Sequence, residues 1–151
     1  MRLLPALLAL ALLALALVTL PAGAEPHSAT LMLQGGIPTA DSQSGSTLTL
    51  TGITDQRCPP EVDCYWEGMM RLEISVQPAT GTAETIILCN LCDDGSRSAD
   101  AAGISLHFDA LEPSTADLAR LGRPPVLSDY TATITRPPPD PALSLRQISC
   151  G

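Results

Sequence analysis

No lysine occurs anywhere in the 151 residues, so all eight basic side chains are arginines. Sixteen acidic residues stand against them and leave a net charge of −8. Such a surface repels nucleic-acid backbones and anionic lipid headgroups, which excludes nucleic acid as a partner and leaves a solvated, acidic exterior. Aromatics are nearly as scarce, with one tryptophan, two tyrosines and one phenylalanine. His107 is the only histidine inside the expected folded region. The chain also lacks a Gly-x-Ser-x-Gly elbow, a phosphate-cradling glycine loop and a calcium-binding loop. No catalytic residue and no cofactor is assigned on this basis.

What is present begins with a leader. Arg2 precedes an uncharged Leu/Ala-rich run from Leu3 to Leu20, and Pro21 then introduces the small-x-small pattern Ala22-Gly23-Ala24. That order matches a signal peptide cleaved after Ala24, covering residues 1–24, rather than a retained membrane anchor. No cysteine stands at the cleavage point, so a lipid anchor is not expected. The expected mature protein is secreted or periplasmic, without a stable membrane span. Loss of Arg2 leaves seven arginines against sixteen acids, a net charge of −9.

From residue 29 to 136 the apolar side chains recur at every second position, the pattern of strands with one buried face. Leu31 and Leu33 form the first set; Leu48, Leu50 and Ile53 form the second. Met70, Leu72, Ile74 and Val76 alternate with polar neighbours most clearly. Ile86-Ile87-Leu88 is a continuous run suited to a more buried strand. Ile104, Leu106, Phe108 and Ala110 follow, then Tyr130, Ala132 and Ile134. Glycine, proline and serine clusters separate these runs, including a turn-rich stretch from Asp93 to Asp100. The pattern predicts an all-β fold, a small antiparallel sandwich or barrel of six to seven strands. One helical turn fits 115–121, capped by Ser114 and stopped at Gly122. Residues 137–151 form a proline-rich, weakly structured tail.

Five cysteines, Cys58, Cys64, Cys89, Cys92 and Cys150, mark disulfide chemistry in an exported chain. Two bridges drawn from five cysteines allow fifteen connectivities, which spacing can rank but not choose among. Cys58 and Cys64 enclose Pro59-Pro60-Glu61-Val62-Asp63, and both prolines narrow the unfolded ensemble of that ring. Closing it stabilises by about 2 kcal/mol on the chain-entropy argument. Trp66 is expected to pack on this bridge or cap the sandwich edge, as the largest single burial in the domain. Gly68 is expected to open the best strand.

The arrangement Arg57-Cys58-Pro59, a spacer, Cys64, Trp66 and Gly68, followed by an alternating strand, resembles a group of small exported bacterial domains. Many of that group are lipoproteins of unassigned function. The resemblance runs from about Leu48 to Thr135 and includes Ser128-Asp129-Tyr130. Gln56 replaces the serine that is common before Arg-Cys-Pro, and Cys89, Cys92 and Cys150 fall outside the pattern. The resemblance implies the β fold and the 58–64 bridge, and no activity.

Two sharper chemistries compete with a structural role. Cys89-Asn90-Leu91-Cys92 is a C-x-x-C motif, but it follows an apolar strand and runs into Asp93-Asp94, which raises rather than lowers a thiol pKa. A structural bridge, within the motif or from one of its cysteines to Cys150, is the preferred reading. Copper or zinc ligation by Cys89, Cys92, His107 and the Met69–Met70 pair lacks a second cysteine pair, and no metal site is assigned. The resulting expectation is an exported, non-catalytic β-sandwich that presents loops to a protein or envelope component. An inhibitor-like role for the 58–64 loop is one version. The alternative is a thiol redox or copper/zinc-handling protein built on Cys89 and Cys92.

Overall fold

The computed structural model describes residues 27–138, except Glu67 and Asp94. The leader, most of the proline-rich tail and Cys150 lie outside the described residues. Eight strands run in chain order: β1 (Ala29–Gln34), β2 (Thr39–Ala40), β3 (Thr47–Asp55), β4 (Met70–Gln77), β5 (Glu84–Asn90), β6 (Ser98–Ala101), β7 (Ile104–Glu112) and β8 (Thr131–Arg136). They form two antiparallel four-stranded sheets, ordered β1-β8-β7-β6 and β2-β3-β4-β5. A short helix, α1 (Thr115–Ala119), and a single 3-10 turn at Leu127–Asp129 lie between β7 and β8.

The sheets face each other because alternation puts one apolar row from each strand on the same side. Leu48, Leu50, Leu72, Ile74, Val76 and Leu88 from one sheet meet Leu33, Leu106, Phe108, Ala132 and Ile134 from the other, all essentially solvent-free. Each buried Leu, Ile or Phe contributes about 1.5–3 kcal/mol of transfer free energy, which makes this layer the main source of stability.

Three local expectations change. Ala110 is exposed and Leu111 is buried in its place, because a bulge between Phe108 and Ala110 inserts one residue and flips the alternation beyond it. The stretch Asp93–Asp100 is not turn throughout: Ser98–Ala101 is an edge strand paired with Ile104–His107. The run Ile86-Ile87-Leu88 belongs to β5, which is also an edge strand. Ile86 and Ile87 are half-buried, one on each face, so the continuous run does not signal a central position.

The chain changes sheets at Gly35-Gly36, a pair that bonds to both sides. Its N–H donates to the Tyr130 carbonyl at 3.0 Å, and the next N–H, of Gly36, donates to the Leu50 carbonyl at 2.9 Å. A Cβ at Gly35 would collide with the Leu127 backbone, so only glycine permits this approach.

Candidate functional site

One end of the sandwich carries three long loops: 56–69 between β3 and β4, 91–97 between β5 and β6, and 113–130 between β7 and β8. Its base is a clamp around Arg57. The guanidinium makes a two-pronged contact with Asp55, Nε to Oδ1 at 2.9 Å and Nη2 to Oδ2 at 2.7 Å. It also donates to the Leu111 carbonyl at 2.9 Å and the Pro113 carbonyl at 2.8 Å. One side chain thus ties the end of β3 in one sheet to the end of β7 in the other. Burial works to raise the Asp55 pKa, but hydrogen bonds from Arg57 and its positive charge, with a smaller contribution from the neighbouring Tyr130 phenol, outweigh it and hold it below the usual aspartate value. Tyr130 moves up, through burial and then the Asp55 charge, so its phenol stays protonated.

The loop leaves this base and returns to it through Gly68. Gly68 has φ +85°, and a Cβ there would strike the Gln56 carbonyl and the Arg57 Cα. The closed approach lets Gln56 N–H donate to the Met69 carbonyl at 2.8 Å. Gly68 therefore closes the loop neck, a more specific task than opening β4. Above the neck, Cys58 and Cys64 stand at disulfide distance, with Cα atoms 5.9 Å apart. Between them Val62 N–H donates to the Pro59 carbonyl at 3.2 Å and closes a turn. The tryptophan expectation fails here: Trp66 is 62% exposed, and Phe108 is the largest fully buried side chain. Tyr65, beside Trp66, is fully exposed, so neither ring belongs to the core.

Beside the clamp lies an open cleft of about 200 Å³, lined by Pro59, Pro60, Leu118, Ala119, Pro125 and Tyr130, with Asp55, Arg57 and Thr115 at its polar side. Helix α1 forms one wall. Ser114 caps it as expected, its hydroxyl oxygen accepting from Asp117 N–H at 3.2 Å, and Gly122 with φ +65° follows its end. The cleft offers apolar surface, while its charged groups are already spent on each other.

No family model, curated protein or solved structure matches this chain.

The second cysteine pair lies at the same end. Cys89 and Cys92 are also at disulfide distance, with Cα atoms 5.8 Å apart, the arrangement of a bridge within the motif. Cys89 is buried, and Leu91 between them adopts φ +62° and stands exposed. Cys150 lies outside the described residues.

His107 is elsewhere, half-exposed on the outer face of β7. Its Nδ1 lies 2.7 Å from Ser98 Oγ, and its Nε2 lies 3.9 Å from Asp109 Oδ1. The row resembles a triad in composition only: the Asp contact is beyond hydrogen-bond length and the face is open sheet. Among the described residues no group of three His, Cys, Asp or Glu side chains could hold a metal. Met70 packs against the core and Met69 is half-buried. Glu61 and Asp63 are exposed on the loop.

The residues that sequence reasoning missed are Asp55 and the bonding role of Arg57. The resemblance contained Arg57 and Tyr130 as separate fragments more than seventy positions apart. The structure brings them into one cluster around Asp55. An aspartate two residues before an arginine at a strand end was the available signal, but its partner carbonyls come from another sheet.

Proposed function

We propose that this chain is an exported, non-catalytic β-sandwich that binds a partner through the loop-bearing end, working in the periplasm or outside the cell. One observation carries the reading. Eight large hydrophobic side chains are exposed among the described residues, and six of them, Val62, Tyr65, Trp66, Leu91, Leu121 and Val126, lie on the three loops of that end. Concentrated exposed apolar and aromatic groups mark interaction surfaces, whereas scattered ones do not.

The leader pattern supports export, and two cysteine pairs at disulfide distance fit an oxidising compartment. Among the described residues no helix is long and apolar enough to cross a membrane. The resemblance of Arg57-Cys58-Pro59…Cys64-x-Trp66-x-Gly68 to small exported bacterial domains supports the export part of the proposal. The test is a purification of the exported protein without reductant, followed by its N-terminal sequence, thiol count, metal content and chemical cross-linking in the producing cells. The expected result is a chain beginning at Glu25, unreactive 58–64 and 89–92 pairs, no stoichiometric metal and a discrete cross-linked complex. Two reactive thiols at Cys89 and Cys92, or stoichiometric copper or zinc, would replace this reading with thiol or metal chemistry.

A further inference from the structure

We infer that the exposed surface of the 56–69 loop, carrying Val62, Tyr65 and Trp66, docks into an apolar pocket rimmed by basic side chains on a partner protein. The inference rests on the binding-module reading above and specifies the partner's chemistry. The apolar component is Val62, Tyr65 and Trp66, all exposed, Val62 inside the Cys58–Cys64 ring and the other two on the limb between Cys64 and the Gly68 neck. Aromatic side chains on a pre-shaped loop lose little freedom on docking and supply large contact area, which is why tyrosine and tryptophan dominate interface hot spots.

The charges around this surface choose the partner. Every arginine on the three loops is committed: Arg57 to Asp55, Arg120 to Asp117, Arg123 to Asp129, and Arg97 to the Asp109 carbonyl and the Phe108 ring. Glu61, Asp63 and Asp93 are exposed and make no ion pair among the described residues. Arg71, the nearest other cation in sequence, points outward from β4 rather than from the loops. The loop surface is therefore an aromatic patch with an acidic border. A second copy would set the same carboxylates against each other in a symmetric contact. An anionic bilayer is repelled for the same reason. A basic-rimmed protein pocket satisfies both the apolar and the charged requirement.

The test places a photo-cross-linking benzoylphenylalanine at Tyr65 in the full chain and, separately, at Met32 on the outer face of β1, in the producing cells. The captured protein is identified, purified and titrated against wild type, Trp66→Ala and the double variant Glu61→Arg/Asp63→Arg. The expected outcome is capture from position 65, with affinity falling at least about tenfold in both variants and falling as salt rises. Capture from Met32 alone, self-capture at position 65, or binding indifferent to both charge reversal and salt overturns the inference while leaving a binding module. A blue shift of Trp66 emission on phosphatidylcholine vesicles also overturns it, in favour of a membrane. Capture from neither position removes the binding-module reading as well.

Discussion

Each end of the sandwich is closed by an arginine–aspartate pair, and the two pairs are built differently. At the end with short connections, Arg136 on β8 reaches Asp41 in the turn before β3, with Nε 2.9 Å from Oδ2 at an angle too oblique for a hydrogen bond. Both side chains are about 95% buried or more, and Arg136 also binds Gln43. Asp41 in turn accepts from Ser44 Oγ at 2.7 Å and Gln43 N–H at 3.1 Å, which shapes the turn. No large exposed hydrophobic side chain lies on the connections 41–46, 78–83 or 102–103. At the other end Arg57 makes the corresponding link between sheets, yet its surroundings are long loops, two cysteine pairs and six exposed apolar groups. One end closes a fold; the other closes a fold and also projects a surface. The second arrangement needs covalent closure, because loops that expose apolar groups have little core contact to hold them.

The comparison can be broken most forcefully at the quiet end. Arg136→Ala strands Asp41 as a buried, unpaired charge, and an expected loss of about 3–5 kcal/mol follows from that cost. Urea denaturation measures it, and a loss under 1 kcal/mol would show that Asp41 is not a closing element. At the loop end, Gly68→Ala must push the loop neck apart in a left-handed backbone, with an expected cost of about 3 kcal/mol. A folded Gly68→Ala protein with wild-type midpoint would separate the neck from the clamp. Replacing Cys58 and Cys64 together by alanine should cost about 2 kcal/mol and increase proteolysis between residues 56 and 69, with little change at 41–46.

Acid sharpens the contrast through direction. Asp41 and Asp55 are both held below the ordinary aspartate pKa against burial, and hydrogen bonds from Arg123 bring Asp129 down to about 2. Carboxylates shifted this way add stability that is complete above an unfolded pKa of about 3.9. That stability is lost as pH falls through the folded value, about 2 for Asp129. Denaturation midpoints should therefore hold from pH 7 to 5 and fall between about pH 4 and 2. Arg123→Gln should flatten part of that fall; an unchanged profile would remove Asp129 from the account. The smallest effect is the most discriminating. Trp66→Ala should change stability by no more than about 0.5 kcal/mol, because the ring is exposed. A loss above 2 kcal/mol would return Trp66 to a packing role.

The strands were legible because period-two alternation is a local consequence of pleating. Leu48, Leu72, Leu106 and Ile134 all point inward as the pattern indicates. The pattern failed where geometry depends on a neighbour: at the Phe108–Ala110 bulge, and at β6, whose SADA sequence is a strand only because β7 pairs with it. The helix cap at Ser114 was readable since its partner is three residues away. Trp66 was misjudged because burial is set by which way a closed loop faces, and residue type carries no such information.

By itself the sequence determined an all-β chain, the alternating rows that line its core and the acidic character of its exterior, and it ranked the 58–64 closure first. Each of these follows from composition or from residues a few positions apart. Only the tertiary structure decided that Cys89 and Cys92 stand at disulfide distance, that Arg57 and Arg136 tie the sheets at opposite ends, and that the tyrosine–tryptophan pair is exposed. Those outcomes depend on groups that the chain separates by tens of residues, and on the directions in which the two packed sheets let the loops leave.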